Sequence, residues 1–257
     1  MLNTVIHGAP SDAPPLLIAP GLFGSARNWT VIAKRLSEKR QVIALDMRNH
    51  GDSFWDDDHS YKALAADLAE VIEAHGGQAD VLGHSMGGKA AMMLAFTHPD
   101  HLRRLIVADM APRAYAHGDG HLALIEAMQA LDLAALETRG QADDALGEQV
   151  QDPGTRAFLL QSLSLRDGPA HWKFNLDALA ANMPQIIGWP ETASDAHFDG
   201  KTLFLTGANS DFVTDQDHET IRTLFPKAMF KELKDAGHWL HAERPREVET
   251  IVDAFLE

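Results

Sequence analysis

The 257-residue sequence contains no cysteine. This absence excludes disulfide bonds, a thiol nucleophile and a thiolate metal site. Long apolar runs are also missing, and the N-terminus lacks a basic segment followed by an apolar one. We therefore expect a soluble, non-exported protein of the cytoplasm.

Positive charge is scarce as well, since 22 lysines and arginines stand against 37 aspartates and glutamates, for a formal net charge of -15. No block of consecutive basic residues offers a surface for a phosphate backbone, which argues against a nucleic-acid partner. The same charge disfavours an anionic membrane surface. Hydrophobic residues make up 45% of the sequence, as in folded globular proteins. We expect a monomer or homodimer whose partner is a small molecule.

The most informative stretch is an apolar strand that runs into a glycine-flanked serine. Residues 81–88 are Val-Leu-Gly-His-Ser-Met-Gly-Gly, and a run of helix-forming residues follows. A Gly-x-Ser-x-Gly turn between a strand and a helix lifts the serine Oγ above the end of the sheet, and small residues let strand and helix approach closely. The pattern predicts Ser85 as a nucleophile at the amino end of a helix, where backbone N–H groups favour negative charge.

Strand and helix patterns alternate over the first part of the chain. Helical patterns separate apolar runs at 16–19, 41–45, 81–83 and 102–110. This alternation requires crossover connections and predicts an α/β fold, with a mostly parallel central sheet flanked by helices.

The alternation of strand and helix patterns ends after residue 110. Four helical patterns follow with no strand between them, which predicts a helical cap inserted at 111–199 over the carboxyl end of the sheet. Strand character resumes at Thr202. The predicted core is therefore formed by residues 1–110 and 200–257.

Two loops of the predicted core carry glycine or polar side chains. Loop 20–25, Pro-Gly-Leu-Phe-Gly-Ser, follows an early buried strand, and its glycines allow a backbone N–H to turn toward the pocket as an oxyanion donor. Loop 46–53 contains Asp46 and His50. We expect these two side chains to hydrogen-bond exposed backbone groups of their loop rather than to catalyse.

A serine hydroxyl is a poor nucleophile until a base removes its proton. His238 follows a late strand and a glycine, and the chain order serine, acid, histidine agrees with this type of fold. His84 precedes the serine and His241 follows His238, so both remain alternatives for the base.

Two aspartates compete for the acid that orients the base. The usual position follows the strand that ends at Gly207, but Ser210 stands there and Asp211 comes one residue later. Asp109 closes the strand after the helix that follows Ser85, so its carboxylate could approach from the neighbouring strand end. We prefer Asp109 and keep Asp211 as the alternative.

A metal site is not expected. His117 and His121 have a spacing that could hold a metal on one helix face, but Gly118 and Gly120 weaken that helix and a third ligand is missing. The predicted chemistry also requires no organic cofactor.

The chain resembles the α/β-hydrolase superfamily throughout and, within it, the YbfF-type acyl esterases and their mitochondrial relatives. The resemblance lies in the segments 21–25, 46–51, 83–89, 109–112, 207–210 and 237–243. It implies Ser85 as nucleophile, His238 as base, and the backbone N–H groups of Leu22 and Met86 as oxyanion donors.

The same resemblance bears on the acid and on one departure from the family. It implies an acid at Asp109 in the bacterial members and at the position of Asp177 in some relatives. Pro20 stands where the family usually has histidine before the glycine, which puts the hydrogen bonding of loop 20–25 in question.

These residues together predict a serine carboxylic ester hydrolase that cleaves short acyl esters, or acyl thioesters, through an acyl-enzyme. Phe23, Trp172 and Trp189 are expected to enclose the substrate. A perhydrolase or a carbon–carbon bond hydrolase would use the same triad. A small-molecule binding protein on the same fold is the alternative without catalysis, and the intact serine, histidine and glycines argue against it.

Overall fold

The computed structural model describes residues 1–116, 118–166, 168–190, 193 and 196–257. The described residues form nine strands: β1 (Thr4–His7), β2 (Leu16–Ala19), β3 (Val42–Leu45), β4 (Ala79–His84), β5 (Leu102–Ala108), β6 (Leu163–Ser164), β7 (His171–Trp172), β8 (Lys201–Gly207) and β9 (Ala228–Leu233). Seven of them make one sheet in the order β1-β3-β2-β4-β5-β8-β9. Within it β1 runs antiparallel to β3, and the other neighbours are parallel.

Eleven α-helices lie in the described part of the chain: α1 (Thr30–Leu36), α2 (Tyr61–Ala74), α3 (Met86–Thr97), α4 (Gly118–Gln129), α5 (Arg139–Gly147), α6 (Pro153–Leu160), α7 (Leu176–Ala181), α8 (Met183–Ile187), α9 (Asp217–Leu224), α10 (Leu240–Glu243) and α11 (Pro245–Leu256). None of these helices combines the length and the apolar character needed to cross a bilayer.

Both faces of the sheet are covered, which explains the unbroken apolar runs of the central strands. All residues of β2, β3 and β4 are buried. Successive side chains point to opposite faces, so Leu17 packs with α2 and α3 while Leu16 and Ile18 pack with α1 and α11. The predicted α/β fold with a mostly parallel sheet is confirmed.

The segment proposed as a cap lies between β5 and β8. It contains α4 to α8 and one feature that the sequence analysis missed, a two-stranded antiparallel ribbon of β6 and β7. Each of these strands is two residues long, which is too short for an alternating pattern to reveal. His117, named above for a metal pair, lies outside the described residues.

The cap segment is tied to the core next to loop 46–53. His50 and Phe174 form an isolated antiparallel bridge, and the Asn175 backbone N–H donates to the Asn49 carbonyl oxygen at 3.0 Å. A second contact starts from α3, where the Lys89 Nζ donates to the carbonyl oxygens of two residues at the end of α8, Ile187 and Gly188. These contacts join the segment proposed as a cap to the core.

Candidate active site

Ser85 occupies the sharp turn between β4 and α3. Its φ of 53° lies in a region that residues with side chains rarely adopt. A Cβ at Gly83 would overlap the Gly87 backbone, and one at Gly87 would overlap the carbonyl oxygen of Ala19 in β2. Only glycine therefore permits this approach of strand and helix, and the half-buried Ser85 begins the turn that leads into α3.

Asp109 and His238 meet beside this turn. Asp109 directly follows β5 and is fully buried, and its Oδ2 lies 2.7 Å from His238 Nδ1. The carboxylate also accepts the Gly207 backbone N–H at 3.1 Å and the Ser210 hydroxyl at 2.5 Å. A carboxylate can only accept, so the proton of the neutral imidazole sits on Nδ1 and Nε2 is left as a basic nitrogen.

The other two acid candidates lie elsewhere. Asp177 is exposed on α7, and its Oδ1 accepts a hydrogen bond from the Gln129 side chain. The Asp211 side chain is also exposed, and its backbone oxygen accepts from Arg113. Neither carboxylate contacts His238 within the described residues. Ser210, which occupies the usual acid position, instead donates to the carboxylate that reaches His238 from the neighbouring strand.

Both alternative bases are neutral, and His84 is buried while His241 is half-buried. The His84 Nε2–H donates to the His238 carbonyl oxygen at 2.8 Å, and burial lowers the pKa of His84 well below its ordinary value. His241 stacks on Trp29 with ring centroids 4.3 Å apart, and burial lowers its pKa to about 4. Because neither imidazole contacts Asp109, the geometry favours His238 as the base, with His84 holding its backbone.

Two cavities meet at Ser85. The larger one is lined by Ser85, Phe23 and His238 and by residues of α4 and α6. The smaller one is lined by Met86 and is mostly apolar. A substrate whose reacting carbon lies at Ser85 could place one arm in each cavity.

Of the three aromatic residues predicted to enclose a substrate, only Phe23 lines a cavity at Ser85. The expectation for the other two needs correction. Trp172 is buried, with its indole N–H donating to the Met128 carbonyl oxygen at 2.9 Å, and Trp189 packs edge-on against Phe96 beside a separate groove. An aromatic side chain in a cap can face the cap interior as readily as the site, and residue type alone does not distinguish the two.

Phe158 and Trp239 line the larger cavity instead, with ring centroids 5.3 Å apart. Trp239 was not predicted as a lining residue. Its place directly after His238 was the available signal, because the loop that delivers the base also delivers its neighbour to the same cavity.

Leu22 and Met86, the two expected oxyanion donors, both lie next to Ser85 at the smaller cavity. Met86 begins α3, where the first backbone N–H groups have no partner within the helix. Leu22 lies inside a tight turn that the Gly24 N–H closes on the Gly21 carbonyl oxygen at 2.9 Å. Both residues line the smaller cavity with Ser85, which is compatible with the expected role of their N–H groups as oxyanion donors.

Asp46 and His50 accept hydrogen bonds from backbone N–H groups, as expected. Some of these groups belong to loop 46–53, and others lie outside it. Asp46 Oδ2 accepts the Asp52 N–H at 2.9 Å, and Oδ1 accepts the Ala26 N–H at 2.8 Å. The Phe23 N–H donates to His50 Nε2 at 3.1 Å. The sequence has no local signal that loop 46–53 supports loop 20–25, because the two segments are brought together by the pairing of β2 with β3.

Comparisons with known proteins show the family of this chain. A family model described as alpha/beta hydrolase fold matches residues 14–245. The chain is 38% identical over 250 residues to the sn-1-specific diacylglycerol lipase ABHD11 of Mus musculus, an alignment that covers 95% of this chain and 81% of the relative. It is 35% identical over 243 residues to the esterase YbfF of Escherichia coli (strain K12), with 94% and 92% covered. A solved structure of a marine microorganism esterase is 36% identical, has a TM-score of 0.93 and is matched over 98% of its length and 99% of this chain. The chain therefore belongs to the α/β-hydrolase family, as an esterase- or lipase-type hydrolase.

Proposed function

We propose that this chain is a serine carboxylic ester hydrolase that cleaves short-chain acyl esters through an acyl-enzyme. The observation that carries the proposal is the buried Asp109 carboxylate 2.7 Å from His238 Nδ1, on the same cavity as Ser85. In this arrangement the acid orients the imidazole and stabilises its charged form, and the imidazole activates the serine.

The proposed reaction has two halves. In the first, His238 Nε2 takes the Ser85 proton while Oγ attacks the carbonyl carbon, and the oxyanion accepts hydrogen bonds from the Leu22 and Met86 N–H groups. The proton then passes to the departing alkoxide, which leaves as an alcohol. In the second half, His238 takes a proton from water, the resulting hydroxide attacks the acyl-enzyme, and the proton returns to Ser85 Oγ as the acid leaves.

The proposed preference for short acyl groups rests on the two cavities. The apolar cavity at Met86 is the smaller of the two, and its lining includes Tyr115 and the residues at the end of α8, which suits a short acyl chain. The larger cavity suits the alcohol part. An acyl thioester would react by the same steps, since only the leaving group differs.

The cytoplasmic location remains a prediction.

The experiment is hydrolysis of p-nitrophenyl acetate, butyrate and octanoate by the parent and by Ser85→Ala. We expect Ser85→Ala to lose at least about 10⁴-fold in kcat, as when the nucleophile of a serine triad is removed. Ser11→Ala, at an exposed loop position, is the matched control and should keep the parent rate. Equal rates for Ser85→Ala and the parent would refute the proposal, and a higher kcat/KM for octanoate than for butyrate would refute the chain-length preference.

A further inference from the structure

Loop 20–25 carries one of the two proposed oxyanion donors, and its first residue, Pro20, has no hydrogen-bond donor that could fix the loop. Proline has no backbone N–H and no polar side-chain atom, so Pro20 makes no hydrogen bond of the kind that a histidine could make there. The loop nevertheless contains a strained residue, Phe23, with a φ of 60°. Such a conformation persists only where neighbouring groups enforce it.

His50 supplies that constraint from the next loop. Its Nδ1–H donates to the Arg48 carbonyl oxygen at 2.9 Å, which leaves Nε2 as an acceptor, and the Phe23 N–H donates to this Nε2 at 3.1 Å. The ring is fully buried. Burial lowers the pKa of His50 to about 4, so the ring is neutral and Nε2 stays an acceptor at neutral pH.

The His50 ring is fixed by packing as well as by hydrogen bonds. Phe174 of the cap segment contacts it edge-on at a centroid distance of 5.6 Å and also contacts the Phe23 ring at 5.5 Å. The imidazole therefore has one orientation, with Nδ1 toward its own loop and Nε2 toward loop 20–25. Leu22 and Phe23 share a peptide bond, so the hydrogen bond that holds the Phe23 N–H also limits rotation of the preceding Leu22 backbone.

We propose that His50 is a positioning residue of the oxyanion hole: by holding the Phe23 N–H, it aims the Leu22 N–H at the carbonyl oxygen of the substrate. The inference rests on the proposed function, because an oxyanion forms only if Ser85 attacks a carbonyl. Interactions that tighten only in the transition state change kcat more than KM. Loss of the His50 contact should therefore appear in kcat.

Two substitutions separate this role from a general contribution to folding. Glutamine places its amide oxygen near the position of Nε2, so His50→Gln can still accept from Phe23. Asparagine places its amide near Nδ1, so His50→Asn keeps the bond to Arg48 and loses the bond to Phe23. Both variants lose the aromatic ring, and their melting temperatures report the remaining difference in packing, because asparagine is one methylene shorter than glutamine.

The measurement is kcat and KM of both variants with p-nitrophenyl butyrate, together with their melting temperatures. We expect the kcat of His50→Asn to fall by between about tenfold and 100-fold, because deleting an oxyanion donor outright lowers kcat by about 100-fold or more. KM should stay within about threefold of the parent. His50→Gln should recover most of that loss. Equal kcat for the two variants, or a loss confined to KM, would overturn the proposal.

A backbone variant covers the case in which neither substitution folds. Replacing Phe23 with phenyllactic acid turns its amide into an ester, which removes the N–H and leaves His50 unchanged. We expect a kcat loss of the same order as for His50→Asn, and an unchanged kcat would overturn the inference. The failures remain distinguishable: activity in Ser85→Ala refutes the proposed function, whereas an inactive Ser85→Ala with a fully active His50→Asn refutes only the role of His50.

Discussion

Asp109→Asn replaces one carboxylate oxygen with an amide NH₂ group at a fully buried position. The amide oxygen can keep the hydrogen bond from the Gly207 N–H, which places the NH₂ group opposite His238 Nδ1 in the place of Oδ2. A donor in that place requires Nδ1 to be an acceptor, so the imidazole proton moves to Nε2. The imidazole then cannot take the Ser85 proton, and its charged form loses the carboxylate beside it.

The expected loss is large because the wrong tautomer and the missing charge act on the same step. A comparable substitution in a serine triad lowers kcat by about 10⁴, which corresponds to roughly 5 kcal/mol of transition-state stabilisation. The assay is kcat with p-nitrophenyl butyrate, with circular dichroism to check the fold. Asp211→Asn and Asp177→Asn are matched controls on exposed side chains, and each should stay within about twofold of the parent. A parental rate in Asp109→Asn, or a comparable loss in either control, would refute the assignment.

Other regions of the molecule give three further predictions. Burial lowers the pKa of His50 to about 4, of His59 to about 3 and of His84 well below its ordinary value. As the pH falls below about 6.5, the unfolded chain binds protons that the folded chain does not. Each ring should then lower the free energy of unfolding by about 1.4 kcal/mol per pH unit, until the pH reaches the pKa of that ring in the folded chain. Urea unfolding at several pH values measures this slope, and constant stability from neutral pH down to about pH 5 would contradict it. A Cβ in Gly21→Ala would lie 3.0 Å from Ser85 Cβ, so kcat should fall at least about tenfold through displacement of the serine, and a parental kcat would contradict the crowding. Trp189→Phe should keep kcat and KM within about twofold, since Trp189 lines a separate groove, and a larger change would place that groove in the substrate path.

The fold could be predicted because its signals are local. The apolar run of β4, the glycines around Ser85 and the helical pattern of α3 lie within 20 residues of one another, so each supports the others. Parallel pairing then follows from the alternation of strands and helices. The ribbon of β6 and β7 could not be predicted in the same way, because each strand is only two residues long.

The site was less accessible to sequence reasoning because its contacts join distant segments. Asp109 and His238 are 129 residues apart, and whether the acid comes from Asp109 or from the neighbouring strand depends on which loop reaches the imidazole. The substitution of serine at position 210 was an informative signal, and its hydroxyl now donates to Asp109. The support of Phe23 by His50 had no local signal at all, since it arises from the adjacency of two loops.

The central claim is that Ser85 becomes covalently bound to the acyl group. The most direct measurement treats the protein with an organophosphate ester such as diethyl p-nitrophenyl phosphate, which phosphorylates an activated serine, and locates the adduct by peptide mass spectrometry. The account predicts one adduct on the peptide that contains Ser85, loss of esterase activity in step with labelling, and no adduct in Ser85→Ala. An adduct on another residue, or full activity in fully labelled protein, would contradict it.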